Sequence, residues 1–256
     1  MRIAVVYDNK SLSPDLSPAW GFSCLIGEDL LFDTGGDSHV LLSNMGKMGI
    51  DVERIRSVVL SHAHGDHTGG LGGLLAVNRN LTVYLPRSFA SGFKAEVGAR
   101  ARVVQVHEPM EITEGIYTTG EMGRSVLEQS LVLVTRRGLV VITGCAHPGI
   151  VSIVEKAREI ASGEVYLAMG GFHLGGVSEA AMGGIVEDFE RLGVQKVGPC
   201  HCSGDLACSV FERAYGENFI LVGVGRELKI ERLCKQRTHE QAGRGLQVLP
   251  GHSAEA

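Results

Sequence analysis

The chain has 256 residues, 44% of them hydrophobic and 21% charged, enough to bury a substantial core. A formal net charge of -5 gives no general attraction to nucleic acid or anionic membrane, so neither is an expected partner. Six cysteines are too sparse for a disulfide scaffold, and no apolar stretch approaches the roughly 18 residues of a membrane span; both features suit a cytoplasmic protein.

Runs rich in Val, Ile and Leu predict strands at 2–8, 22–27, 30–35, 57–61, 81–86, 102–106, 130–135, 138–144, 164–171, 194–200 and 219–223. Helical periodicity falls at 38–48, 68–78, 149–162, 178–192 and 205–214. The alternation predicts a layered α/β protein. Short turns at Gly27–Asp29 and at Arg136–Gly138 predict two antiparallel hairpins and therefore mixed sheets. No linker or mid-chain change of composition appears, so residues 1–235 read as one domain, followed by a mobile tail at 236–256.

The stretch "SVVLSHAHGDHTGG", residues 57–70, carries the chemistry. Residues two apart in an extended segment point the same way, so His62 and His64 project together beyond the strand. Asp66 and His67 follow where the chain turns into a helix that Thr68 is placed to open. Imidazole and carboxylate together suit Zn, Fe or Mn, whereas Ca and Mg sites are built from oxygen. His147 in "TGCAHPG" follows another apolar run, at a loop where sites collect, and is a further candidate ligand. His173 in "AMGGFHLGG" is ringed by glycines that let a ligand approach; it is a candidate metal ligand, proton donor or phosphate contact. Cys200 and Cys202 alternate with His201 and are expected to face away from it as small packed side chains. No phosphate-binding or dinucleotide-binding glycine motif is present, so nucleotide binding through those motifs is unsupported.

His-x-His-x-Asp-His followed by Gly-Gly resembles the signature of the metallo-β-lactamase superfamily. "LLFDTGG", "GLVVITGCAHPGI", "AMGGFHL" and "VGPCHCSG" extend the resemblance over about residues 1–230. More narrowly, they are similar to the metal-dependent hydrolase subfamily whose archaeal members are associated with dihydropterin ribofuranosyl-aminobenzene phosphate synthase activity. The resemblance implies a four-layered αβ/βα sandwich, two mixed sheets with helices on the outer faces, and one or two divalent metals, zinc foremost, at one edge between the sheets. His201 then matches the late metal histidine. One metal would sit on His62, His64 and His147, the other on Asp66, His67 and His201, and Asp33 would lie beneath the metal loop to fix a histidine tautomer.

The sequence departs from that pattern where superfamily members place a bridging aspartate: Cys145 occupies the position, with His147 two residues on. A second register aligns "TTGE" with the third motif and makes Glu121 the ligand. The leading functional expectation is a hydrolase in which a metal-bound hydroxide attacks a small ester or phosphorylated substrate, Asp66 orienting the water and His173 protonating the leaving group. Two alternatives stand beside it. One is a transferase that couples a dihydropterin diphosphate to an aminobenzene ribofuranosyl phosphate; the other is a non-catalytic metal-dependent sensor. Oligomeric state does not follow from the sequence.

Overall fold

The structure, a computed structural model, describes residues 1–233. The expected tail at 236–256 lies outside the described residues. Strands β1 (Arg2–Tyr7), β2 (Ser23–Ile26), β3 (Leu30–Phe32), β4 (Ser57–Val59), β5 (Thr82–Pro86), β6 (Arg102–Val106) and β13 (Glu227–Lys229) make one sheet, in the order β13-β1-β2-β3-β4-β5-β6. The second sheet has the order β12-β11-β10-β9-β8-β7, from β7 (Met110–Thr113), β8 (Ile116–Thr118), β9 (Leu131–Thr135), β10 (Gly138–Thr143), β11 (Val165–Gly171) and β12 (Lys196–Cys200). Both sheets are mixed: β2 with β3 and β9 with β10 form the antiparallel hairpins, while β3 to β6 and β10 to β12 run parallel.

The alternation of side chains along each strand creates the layers. Ile3, Val5, Leu30 and Phe32 of the first sheet pack with Val140, Ile142, Leu167 and Met169 of the second in a shared central core. The opposite faces are covered by helices. Val6, Leu31 and Val58 pack under α1 (Ser38–Lys47), α3 (Leu71–Val77) and α4 (Ser91–Gly98). Leu139, Val141 and Ala168 pack under α5 (Ile150–Ile160), α6 (Glu179–Arg191) and α7 (Asp205–Tyr215). The order helix, sheet, sheet, helix is the four-layered αβ/βα sandwich.

Six elements depart from the sequence expectation. Residues 219–223 form no strand, only an isolated bridge from Phe219 to Val197, because the second sheet already ends at β12. The helix expected at 68–78 is two pieces, α2 (Gly65–Thr68) and α3. His64 caps α2, so Thr68 ends that helix instead of opening it, its hydroxyl donating to the His64 carbonyl. Strands β7, β8 and β13 and helix α4 are additional. Most residues of β7, β13 and α4 are half-buried or exposed, and β8 is only three residues long, so none leaves a sustained apolar run in the sequence.

Gly69 and Gly70 let this segment lie against the β3 loop. A Cβ at Gly70 would stand 2.1 Å from the Thr34 carbonyl oxygen, and one at Gly69 2.2 Å from that of Gly36.

Candidate metal centre

The carboxyl ends of five strands meet at one edge of the sandwich. Asp33 follows β3, the segment Ser61–His67 follows β4, and Cys145 and His147 follow β10. His173 follows β11, and His201 follows β12. Asp33, Ala146, His173 and His201 all hold positive φ, between 50° and 60°, a conformation that costs non-glycine residues energy and collects at functional sites.

The tautomers follow from the hydrogen-bond partners. Asp33, fully buried, accepts the Ser61 N–H at 2.6 Å, the Ser61 hydroxyl at 2.7 Å and His67 Nδ1–H at 2.7 Å. Because the Ser61 hydroxyl is spent on Asp33, its oxygen accepts His62 Nδ1–H at 2.8 Å. His201 Nδ1–H donates to Asn9 Oδ1 at 3.1 Å, and His147 Nδ1–H to Glu128 Oε2 at 2.8 Å. Each of these four imidazoles is thereby left with Nε2 as its coordinating atom.

Those Nε2 atoms converge. His67 Nε2 lies 3.2 Å from His201 Nε2 and 3.2 Å from Cys145 Sγ, and His62 Nε2 lies 3.0 Å from His64 Nδ1. Asp66 Oδ2 is 3.3 Å from His201 Nε2 and 3.7 Å from His67 Nε2. Among the described residues, three sets of donor atoms fall within 4.8 Å of one another: His62, Cys145 and His147; His67, Cys145 and His201; and Cys145, His173 and Cys202. Cys145 belongs to all three. Two lone pairs facing each other at 3.2 Å need a cation between them, a proton or a metal, so the donor set fits a divalent metal.

The electrostatics agree. Burial, aided by neighbouring His67 and His147, pulls the His62 pKa down to about 2, so its ring is neutral and able to coordinate. Burial also lowers His201 and His173. Burial would lower His67 too, but the charge of Asp33 and its hydrogen bond outweigh it and the net shift is upward. Burial raises Asp66, yet its close approach to His201 and the charge of His67 hold it well below the usual carboxylate range. The Cys145 thiol is raised by its interaction with Cys202 and then by burial.

Glu128 is the residue that sequence reasoning missed. It is buried, accepts the backbone N–H groups of Cys145 and Ala146 on Oε1 and that of His147 on Oε2, each at 2.9 Å, and also holds the His147 ring. Burial raises its pKa, but the His147 hydrogen bond, nearby His62 and the backbone donors hold it at about 2. Its only signal in the sequence is one acidic residue just before an apolar strand.

Glu121 belongs to none of the three donor sets. It accepts the Ser88 N–H at 2.6 Å and pairs with His107 at 2.8 Å, so the register that would make it a ligand is not realised. Cys202 does not face away from the site as alternation predicted, because residues 201–203 form a 3-10 turn that swings its thiol toward the Cys145 carbonyl, 3.6 Å away. His173 stacks on His147, ring centroids 4.5 Å apart. Cys200 is buried, as expected.

A fold of two facing mixed sheets with a histidine-rich centre at their common edge defines a metal-binding enzyme class, and the comparison of sequences agrees: residues 25–159 match the metallo-beta-lactamase superfamily. The chain belongs to that superfamily, and membership implies binding of a divalent metal. It is 30% identical to 7,8-dihydropterin-6-methyl-4-(beta-D-ribofuranosyl)-aminobenzene-5'-phosphate synthase of Methanocaldococcus jannaschii, an alignment that covers 83% of this chain and 92% of the relative. Among solved structures, Tm1679, described as a metal-dependent hydrolase of the beta-lactamase superfamily, is 31% identical with a TM-score of 0.77, covering 90% of this chain and 99% of that one. The metallo-beta-lactamase fold protein YhfI of Bacillus subtilis shares the fold at 15% identity, TM-score 0.62, over 89% and 99% of the two chains. The M. jannaschii relationship corrects the leading expectation of a hydrolase: that relative is a synthase, which favours the coupling reaction over hydrolysis. Among the described residues, no helix is long and apolar enough to cross a membrane.

Proposed function

We propose that the protein is a synthase of the kind named for its M. jannaschii relative, coupling a dihydropterin methyl diphosphate to an aminobenzene ribofuranosyl phosphate. The observation that carries this reading is 30% identity over 83% of this chain and 92% of the relative. In the coupling, the arylamine lone pair forms a C–N bond to the methylene carbon at pterin position 6. The C–O bond to diphosphate breaks, its electron pair leaving with the diphosphate.

The donor sets support two ions, with zinc suited to nitrogen and thiolate. His62, His147 and Cys145 would hold one and His67, His201 and Cys145 the other, with His64 and Asp66 beside them. Divalent metal bound there supplies positive charge for the departing diphosphate. Asp33 and Glu128 fix the imidazole tautomers, and neutral His173, exposed beside His147, accepts the arylamine proton. The rest of the reading is a small-molecule enzyme of one domain over residues 1–235, without nucleic-acid or membrane partners. The unpaired Cys145, Cys200 and Cys202 support a reducing, cytoplasmic setting.

The test is incubation of the metal-loaded protein with the two substrates, with mass-spectrometric detection of product and a phosphate-coupled assay of diphosphate. Coupled product with one diphosphate per turnover is expected. Diphosphate or phosphate release without coupled product would overturn the reading.

A further inference from the structure

On the His201 side of the metal centre is a cavity of about 370 Å³ lined by Asp8, Lys10, Trp20, His201, Asp205 and Leu221 among others. That volume lies within the roughly 300–1,000 Å³ of small-molecule pockets. Two of its walls are unusual. Trp20 is the chain's single tryptophan, 61% exposed, with its ring centroid 4.9 Å from that of His201. A large aromatic left in solvent beside a candidate metal ligand offers a free face for stacking. Asp8 is the reverse case, a carboxylate only 1% exposed. Its Oδ1 accepts the Lys10 N–H at 3.0 Å, but among the described residues its Oδ2 is buried without a well-formed hydrogen bond, the Cys200 thiol and the His201 backbone N–H being the donors within its reach. A buried carboxylate oxygen without a well-formed hydrogen bond is costly unless a ligand supplies one.

The cavity is also tied to the metal centre. Asn9 donates to the His201 carbonyl at 2.9 Å and accepts from both His201 Nδ1 and the Gly21 N–H, at 3.1 and 3.2 Å, so the Trp20 loop, the end of β1 and His201 are held in one arrangement. The Lys10 ammonium is occupied by Asp205, which leaves Asp8 as the charged wall with an open acceptor.

A flat heteroaromatic ring that carries N–H donors on one edge matches both walls: its face stacks on Trp20 and its donor edge meets Asp8. We infer that this cavity is the binding subsite for a 2-amino-4-oxopteridine ring, with Trp20 as the stacking platform and Asp8 as the acceptor for its amino edge. The inference rests on the coupling reaction proposed above and assigns the pterin half of that reaction to this side of the metal centre. It places the 6-methylene group toward His201 and leaves the His173 side for the arylamine.

Because Trp20 is the sole tryptophan, intrinsic emission reports on this cavity alone. Purified protein is titrated with pterin and, separately, with lumazine, in which an oxo group replaces the 2-amino group. Saturable quenching of Trp20 by the pterin is expected, with lumazine binding at least tenfold more weakly. Asp8→Asn, which keeps the acceptor for Lys10, is expected to bring the two affinities within threefold. Trp20→Leu, followed by calorimetry, is expected to weaken pterin binding at least tenfold, and thermal melting checks both folds. Should Asp8→Asn fail to fold, the pterin and lumazine comparison on the native chain decides. Absence of quenching, or equal affinity for the two rings in the native chain, overturns the inference. Coupled product without a Trp20 response would overturn this subsite and keep the synthase reading, whereas pterin selectivity without coupled product would keep the subsite and overturn the synthase reading.

Discussion

His67 Nε2 and His201 Nε2 lie 3.2 Å apart while their Nδ1 protons are committed to Asp33 and Asn9. Burial would lower the His67 pKa, but the charge of Asp33 and its hydrogen bond shift it upward, and the two facing Nε2 atoms are separated by no more than a cation's width. Metal loading at Cys145 and the histidines is expected to release a proton, measurable by calorimetry in buffers of different ionisation enthalpy. It is also expected to stabilise the fold by about 2.7 kcal/mol at free metal a hundredfold above Kd. At about 2–4 °C per kcal/mol, chelation should lower Tm by roughly 5–11 °C. An unchanged Tm and no proton release would remove the metal from this centre.

Glu128 gathers two donors on each oxygen. In Glu128→Gln the amide satisfies one pair with its oxygen and turns N–H groups toward the other, so His147 loses its fixed tautomer. Metal affinity is expected to fall about tenfold to a hundredfold, the usual effect of a residue that orients a ligand. The native carboxyl has a pKa of about 2 against an ordinary 4.5. Its stabilisation is therefore complete above pH 4.5 and is lost as pH falls from 4.5 toward 2. Metal-free Gln variant melted across that window should lack this part of the native acid slope, of order 3 kcal/mol.

Cys145 is common to both histidine donor sets, so a cobalt-substituted protein is expected to show a thiolate-to-metal charge-transfer absorption near the ultraviolet edge. Cys145→Ser should abolish that band and weaken both metal-binding steps seen in titration. A band that persists in the variant would make Cys145 a packing residue. Cys145→Asp separates the cases further: it should keep both steps if the position ligates, and otherwise should unfold the protein by burying an unpaired carboxylate.

Gly70→Ala is expected to destabilise the fold by more than about 3 kcal/mol, since the new methyl would meet the Thr34 carbonyl oxygen at 2.1 Å. Gly72→Ala, where nothing stands within 4 Å, is the control and should melt at or slightly above the native temperature. Equal melting of the two variants would mean that α2 and the β3 loop do not pack as described.

Ten of the eleven strands expected from the sequence are present, because buried parallel strands such as β10 and β11 are continuous apolar runs that need no partner to be recognised. His62, His64, Asp66 and His67 likewise fall side by side through local spacing, although His64 and Asp66 belong to none of the three donor sets. Edge elements such as β7 and β13 carry no such run, since one side of each is solvated and their register comes from the neighbouring strand. What only the tertiary structure decided is which distant residues complete the centre. Glu121 and Glu128 are seven positions apart and look alike in sequence, yet one turns outward to His107 and Ser88 while the other is buried beneath His147. Cys145 likewise reaches both histidine sets because β4, β10 and β12 end at the same edge of two facing sheets, a juxtaposition that arises from packing and that no local spacing encodes.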